Sequence, residues 1–155
     1  TDAIDDLVRR EEVEWSRLEG LWKDVGTPED LIDSNRIKLG DIQRKIAGEV
    51  SDGADVTGPV QIGSNSVVET GSEILGPVVI GENVRIEGNA KIGPNVSIDD
   101  NCRIKNAAVE DSIIMSGAKI DIDEKITNSI IGHSAETTNE GDKLLIGPDS
   151  VISIG

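Results

Sequence analysis

Branched aliphatic residues recur at every sixth position through the middle of the chain. The series is Val50, Val56, Ile62, Val68, Ile74, Ile80, Ile86, Ile92, Ile98 and Ile104. A small or compact residue stands four positions after each member from Val56 onward: Val60, Ser66, Ser72, Val78, Val84, Ala90, Val96, Cys102 and Ala108. A period of six fits neither a helix nor a plain strand, so this segment is an internal repeat.

Each six-residue unit has the composition of a short strand followed by a turn. Pairs such as Gly58–Pro59 and Gly76–Pro77, and asparagines such as Asn83, occupy the turn positions, and these residues favour tight corners. Three units would close one triangular coil of about eighteen residues, and successive coils would pair at roughly 4.8 Å. The repeat therefore predicts a mainly β fold, a hexapeptide-repeat parallel β-helix of about five coils with the large aliphatic residues inside.

A small α/β segment and a long helix are predicted ahead of the β-helix. Ile4, Leu7 and Val8 share one stripe of a short helix, and Val13 and Trp15 alternate as in a strand.

The long helix begins with Thr27 as its N-cap and Pro28 at its first position, and Asp30 can complete a capping box. Its apolar spacing continues to about Ala47, although Gly40 is a weak point. We expect this helix to cover the open edge of the first coil. The predicted division is 1–48 for the end of a preceding domain plus the helix, and 49–155 for the β-helix.

The repeat loses its phase after Ala108. The next large residue that restores the spacing is Ile114, so a unit is shortened or looped near residues 109–112, and a second slip precedes Ile131. The polar segment 135–143 is predicted to be a projecting loop or an irregular corner. Residues 144–154 would close the last coil.

Charge and composition limit the partners. The chain of 155 residues holds 30 acidic and 15 basic residues, a formal net charge of −15. Nucleic acid and anionic membranes attract clustered Lys and Arg, so neither is expected as a partner. No apolar run approaches a membrane span. The first residue is Thr1 and the one methionine is Met115, so we expect the chain to be a piece of a longer protein.

Cys102 is the one cysteine of the chain, which excludes an internal disulfide and is compatible with a reducing, cytoplasmic location. Its compact inward position in the repeat predicts a buried and unreactive thiol.

Two residues offer catalytic chemistry. His133, the one histidine, is placed at a coil corner, where it is either an exposed turn residue or the general base of an acyltransferase. Asp24 lies in a turn ahead of the long helix, where it is either structural or a ligand of Mg²⁺, an ion that prefers oxygen donors.

A family resemblance bears on that choice. The segment 20–32, with Asn35 and Arg36 beyond it, resembles the end of the catalytic domain of sugar-1-phosphate nucleotidyltransferases, as does the opening segment 1–7. Segments 76–81 and 110–115 are similar to the long form of glucose-1-phosphate thymidylyltransferase. The resemblance spans nearly the whole chain.

The resemblance implies a left-handed β-helix and a dTDP-glucose-forming reaction from a sugar 1-phosphate and a nucleoside triphosphate. It also implies that Asp24 is one of two aspartates holding the catalytic Mg²⁺. The other aspartate, the nucleotide loop and the lysine near the sugar phosphate would belong to an upstream catalytic domain. We therefore expect this chain alone to be inactive and its β-helix to serve assembly and stability in a homo-oligomer.

Two alternatives remain open at this point. One is a hexapeptide acyltransferase that uses His133 and acyl-coenzyme A between coils. The other is a pure scaffold whose catalytic half has been lost.

Overall fold

The computed structural model describes residues 7–10, residue 17 and residues 24–138. Residues 7–9 are helical, with Leu7 and Val8 exposed; the rest of the short helix, the strand at Val13 and Trp15 and the closing coil at 144–154 lie outside the described residues. A helix of 12 residues, α1 (Pro28–Leu39), lies directly ahead of the strands.

Seventeen short strands follow in the described part of the chain. They are β1 (Lys45–Ile46), β2 (Glu49–Val50), β3 (Asp55–Thr57), β4 (Val60–Ile62), β5 (Val67–Val68), β6 (Glu73–Leu75), β7 (Val78–Ile80), β8 (Arg85–Glu87), β9 (Lys91–Ile92), β10 (Val96–Ile98), β11 (Arg103–Lys105), β12 (Ala108–Glu110), β13 (Ile113–Ile114), β14 (Lys119–Asp121), β15 (Lys125–Thr127), β16 (Ile130–Ile131) and β17 (Glu136–Thr138).

Every third strand pairs in parallel, which confirms the predicted β-helix. Sheet A has the order β1-β4-β7-β10-β13-β16, sheet B runs from β2 to β17, and sheet C runs from β3 to β15. We number the coils from the N-terminal end, so that coil 1 is β1–β3, coil 4 is β10–β12 and coil 5 is β13–β15. β16 and β17 begin a sixth coil.

The predicted aliphatic columns form the core. Equivalent residues of successive coils are direct register partners, as with Ile86, Ile104 and Ile120 in sheet B. The large inward residues of the central coils are at most 2% exposed: Ile62, Ile80, Ile98, Ile114 and Ile131 in sheet A, Val68, Ile86, Ile104 and Ile120 in sheet B, and Ile74, Ile92 and Val109 in sheet C. At the corners Asn65, Asn83, Asn95 and Asn101 adopt left-handed backbone angles, which asparagine tolerates better than most residues.

The repeat loses its phase after Ala108 because two successive units are each one residue shorter than the others, and no loop is inserted. Val109 is fully buried and pairs with Ile92 below and Ile126 above, so the step of ten divides into two units of five residues. The compact residue of this coil is Ala107, which is fully buried, and Ala108 is partly exposed. Of the two predicted forms of the slip, a shortened unit or a loop, the structure therefore shows the shortened unit. The predicted loop at 135–143 is wrong at its start, because β17 continues sheet B over residues 136–138.

Helix α1 is shorter than its apolar spacing predicts. It ends at Leu39 with Gly40 as the C-cap, and the backbone N–H of Gly40 bonds to Arg36 and Ile37 carbonyls. Beyond it Ile46 lies in β1, where pairing with β4 replaces a further turn of helix. The glycine lowers helix propensity at the point where this alternative pairing becomes available.

The helix also lies elsewhere than expected. It packs against the outside of sheet A, where it contacts β10, and buries Ile32 and Leu39. It does not cover the open edge of coil 1, where Ile46 stays 37% exposed. The physical reason is a set of polar contacts with coils 4 and 5, described below.

In coils 3 to 5 the outer face of sheet A is uncharged, unlike the outer faces of sheets B and C. Ion pairs join neighbouring coils on sheets B and C: Arg85–Glu69, Arg103–Glu87, Lys105–Asp121, Lys119–Glu136, Lys91–Glu73 and Lys125–Glu110. The outward residues of sheet A in coils 3 to 5 are Val79, Ser97 and Ile113, which are uncharged. A helix can therefore pack on sheet A without desolvating an ion pair.

Candidate functional site

The predicted turn at Asp24 is an exposed segment without regular structure, residues 24–26, that leads directly into helix α1; we keep the name Asp24 turn for it. Thr27 has extended backbone angles and caps the helix: its Oγ1 accepts a hydrogen bond from the N–H of Asp30 at 3.1 Å. In return the Asp30 carboxylate accepts from the N–H of Thr27 at 3.2 Å. Pro28 supplies a fixed φ at the first helical position. The turn that carries Asp24 therefore joins a firmly capped helix end, as the sequence predicts.

The described residues do not build a complete metal site around Asp24. No group of three or more His, Cys, Asp or Glu side chains in residues 7–10, 17 and 24–138 could hold a metal ion. The exposed carboxylate of Asp24 fits a single oxygen ligand of Mg²⁺, an ion that is commonly held by one or two carboxylates together with substrate phosphates. This chain would have to share such a site with residues outside the described part.

The helix that follows Asp24 is fastened to the β-helix through Arg36. Its Nε donates to Asp111 Oδ1 at 2.7 Å, and its two terminal nitrogens donate to Asp33 Oδ1 at 2.9 Å and to Asn128 Oδ1 at 2.6 Å. The hydrogen bond with Asp111 raises the pKa of Arg36, with a smaller contribution from Asp33. Asp111 also accepts a hydrogen bond from Asn95 at 3.0 Å.

A second fastening point lies one residue earlier on the helix. The Ser97 hydroxyl donates to Asn35 Oδ1 at 2.6 Å, and Asn35 Nδ2 reaches the carbonyl of Asn95 at 3.5 Å. We call Asn35, Arg36, Asn95, Ser97, Asp111 and Asn128 the helix seat. Sequence reasoning named Asn35 and Arg36 only as part of a resemblance and missed their partners. The sequence feature that could have pointed to these partners is the replacement of the Gly–Pro corner pairs by corners that carry Asp111 and Asn128.

His133 occupies a coil corner, as predicted, and is exposed. Its Nδ1 lies 2.8 Å from the Ser116 hydroxyl on the corner below. Together with Leu31 and Met115 it lines an open groove of about 460 Å³ between the start of α1 and sheet A. This environment is that of an exposed turn residue beside an open, largely apolar groove.

Cys102 is buried in the column of compact residues, as predicted. Its Sγ lies 3.1 Å from the carbonyl oxygen of Met115. Burial raises the pKa of the Cys102 thiol to about 11. The thiolate, which is the reactive form, is therefore scarce at neutral pH.

Comparison with known proteins assigns the family. The family model described as "GMPPB C-terminal domain" matches residues 74–152, about half of the chain. The chain belongs to this family. The match begins in coil 2 and so covers most of the β-helix, including the corners that hold Arg36.

Relatives extend the similarity beyond the GMPPB C-terminal domain. The low-salt glycan biosynthesis nucleotidyltransferase Agl11 of Haloferax volcanii is 35% identical over 99% of this chain and 45% of its own length. The bifunctional protein GlmU of Methanocaldococcus jannaschii is 34% identical over 43% of this chain and 16% of its own length. GlmU of Methanococcus aeolicus is 36% identical over 40% of the chain and 15% of its own length.

The predicted resemblance to the C-terminal part of a sugar-1-phosphate nucleotidyltransferase is thereby confirmed. The chain spans less than half the length of these relatives. The comparisons do not favour the acyltransferase alternative for His133. Within the described residues, no helix has both the length and the apolar character needed to cross a membrane.

Proposed function

We propose that this chain is the C-terminal part of an enzyme that forms a nucleotide-sugar of the dTDP-glucose type. The observation that carries the proposal is the similarity to the nucleotidyltransferase Agl11 over 99% of the chain. That similarity takes in the turn at Asp24 and helix α1 as well as the β-helix. The resemblance of segment 20–32 to the end of a nucleotidyltransferase catalytic domain supports the same assignment.

In the proposed reaction an oxygen of the sugar 1-phosphate attacks the α-phosphorus of a nucleoside triphosphate. One phosphorus–oxygen bond forms, the bond to the β-phosphate bridging oxygen breaks, and pyrophosphate leaves with the electron pair. Bound Mg²⁺ would offset the charge that builds up on the phosphate oxygens. The role proposed for Asp24 is to supply one carboxylate oxygen to that ion from the segment just ahead of the capped end of helix α1.

The remaining parts of the proposal concern the rest of the enzyme. An upstream catalytic domain would supply the second aspartate and the groups that bind both substrates, so the 155-residue chain alone is inactive. The β-helix serves stability and homo-oligomer assembly. The proposed location is the cytoplasm, with which a chain that has one buried cysteine and therefore no internal disulfide is compatible.

The test compares the 155-residue chain with the longer protein that includes the upstream domain. Pyrophosphate release is measured with glucose 1-phosphate, dTTP and Mg²⁺. We expect release from the longer protein and none from the chain alone. In the longer protein Asp24→Asn should lower kcat by about 100-fold or more, because losing even a residue that only orients a metal ligand costs about 10- to 100-fold. The control is Asp41→Asn, which changes an exposed carboxylate just beyond the helix.

Three results would refute the proposal. The first is release by the chain alone, and the second is no release by the longer protein with any combination of sugar 1-phosphate and nucleoside triphosphate. The third is equal activity of the Asp24 and Asp41 variants. A panel of four nucleoside triphosphates tests the dTTP preference separately.

A further inference from the structure

We infer that Arg36 is a positioning residue that sets the placement of the Asp24 turn by fastening helix α1 to two coil corners of the β-helix. The inference rests on the proposed function, because it gives Asp24 a part in catalysis. It assigns the β-helix a role in the geometry of the reaction, in addition to assembly and stability.

The contacts of Arg36 fix the helix in more than one direction. Asp111 lies at the corner between β12 and β13, and Asn128 lies at the next corner above it, between β15 and β16. Arg36 donates to both, at 2.7 and 2.6 Å. A planar guanidinium that binds two acceptors on successive coils opposes sliding of the helix along the stack.

The corners that receive Arg36 differ from the earlier corners along the same edge. In the first three coils this edge carries Gly58–Pro59, Gly76–Pro77 and Gly93–Pro94. In the next two corners the Gly–Pro pair is replaced and the unit shortens to five residues. Asp111 and Asn128 stand there with φ of 45° and 49°. Gly58 and Gly93 at earlier corners of this edge also have positive φ, of 82° and 104°. The backbone conformation is therefore kept, and aspartate and asparagine, which tolerate it better than most residues, add a side-chain acceptor for Arg36.

Asn35 adds a contact at a different point of the face. It accepts from Ser97 Oγ at 2.6 Å, in the middle of sheet A, whereas Arg36 binds at the edge of the sheet. Two contacts at separate points oppose rotation of the helix about its axis. The helix seat therefore defines both the position and the orientation of α1.

Helix α1 transmits this placement to Asp24. The capping box of Thr27 and Asp30 closes the first turn, and Asp24 stands three residues ahead of the cap. We infer that a shift of the helix also moves the Asp24 turn, because only Val25 and Gly26 separate Asp24 from the cap residue Thr27. A misplacement of about 1 Å in a catalytic constellation can lower the rate by about 100-fold.

The experiment uses the longer protein and separates kcat from KM. We expect Arg36→Ala to lower kcat by about 10- to 100-fold with KM for both substrates within about twofold, because substrates still bind upstream while the Asp24 turn is displaced. Arg36→Lys, which can keep one of the two corner contacts, should be intermediate. The matched control is Arg44→Ala: Arg44 also bonds to a corner, through the carbonyls of Val56 and Gly58 at 3.0 and 3.3 Å, but lies beyond the helix.

A double-variant series tests whether Arg36 and Asp111 act together. If they form one unit, Arg36→Ala combined with Asp111→Ala should be no slower than the slower of the two single variants, which we expect to be Arg36→Ala because it also loses the bond to Asn128. If the losses in kcat of the two single variants multiply in the double variant, the inference is overturned. It is also overturned if the kcat of Arg36→Ala is within about twofold of that of the unaltered enzyme. Circular dichroism at the assay temperature identifies any variant that fails to fold, and Arg36→Lys then decides the outcome by the same criterion.

A measurement without activity keeps the inference distinct from the proposed function. Hydrogen exchange of the α1 amides is followed in the 155-residue chain. Exchange should be at least about tenfold faster in Arg36→Ala than in Arg44→Ala, since local opening costs less free energy once the fastening is lost. If the longer protein shows no nucleotidyl transfer, the proposed function fails. Hydrogen exchange of the α1 amides then tests by itself whether Arg36 fastens the helix to the β-helix. Equal exchange in the two variants would overturn the inference.

Discussion

Truncation of Ile104 to alanine tests whether the aliphatic columns hold the β-helix together. Ile104 is fully buried in coil 4 and is the register partner of Ile86 below and Ile120 above. Replacing a buried isoleucine with alanine costs about 2–5 kcal/mol, and the cost rises when the surroundings cannot collapse into the cavity.

Collapse is restricted at Ile104 because the backbone ladder holds both neighbouring coils at the strand spacing. We therefore expect a loss near the upper part of that range, about 4 kcal/mol, for Ile104→Ala and about 1 kcal/mol for Ile104→Val.

Urea unfolding of the 155-residue chain, followed by far-UV circular dichroism, measures both losses. The slope of the free energy against urea concentration should stay unchanged if the coils still unfold as one unit, and should fall if the stack divides at coil 4. The matched control is Leu75→Ala, because Leu75 is 52% exposed on the outside of the stack. The reasoning is wrong if Ile104→Ala costs less than about 1 kcal/mol or no more than the control.

Two further predictions concern a thiol and a glycine. The pKa of Cys102 rises from 9.0 to about 11 in the folded chain, so the folded state holds this proton more tightly and its stabilising effect disappears as pH rises from 9 through 11. From pH 8 to pH 10.5 the urea midpoint should fall further in the unaltered chain than in Cys102→Ala. An equal fall in the two proteins would contradict this. In Gly48→Ala the new Cβ would collide with the carbonyl oxygens of Ser66 and Gly63, at a cost of about 1–3 kcal/mol. Gly26→Ala is its control because no atom lies within 4 Å of the added Cβ; equal midpoints for these two variants would count against the packing described.

The aliphatic columns of the core could be predicted because the six-residue repeat determines both where a residue lies in its coil and whether it is buried. Residues such as Ile62, Ile80 and Ile98 recur at whole-coil intervals, so the sequence spacing directly predicts which side chains stack. The capped start of α1 was predictable for a similar reason, since Thr27, Pro28 and Asp30 act within one turn. Local rules suffice wherever the deciding contacts are local.

The end of the helix and the phase slips were harder to predict. Ile42 and Ile46 continue a helical spacing by coincidence, and only the pairing of β1 with β4 shows that Ile46 belongs to a strand. At the first slip Ala107 and Ala108 are both small, so the spacing alone did not show which of them turns inward. A one-residue shortening changes the facing of every later residue until the phase is restored.

The helix seat was beyond prediction from spacing. Arg36 lies 75 residues from Asp111 and 92 residues from Asn128 along the chain, so no local rule joins them. The expectation that the helix covers coil 1 used the order of elements, whereas polar contacts with coils 4 and 5 decide its place. Asp24 was identified by resemblance, because one exposed carboxylate in a turn has no distinguishing pattern.

The corners divide the β-helix into two parts. We call coils 1 to 3, which have the Gly–Pro corners, the stem, and the corners at Asp111 and Asn128, which hold Arg36, the socket. In the stem each coil repeats after eighteen residues, from Ile62 to Ile80 and again to Ile98, so a whole coil could be gained or lost there without a change of facing. Such a change would move coil 1 by about 4.8 Å relative to the socket that holds Arg36. The connection of residues 40–44 would have to lengthen or shorten by one or two residues in compensation. Coil number and connector length should therefore vary together among homologous chains.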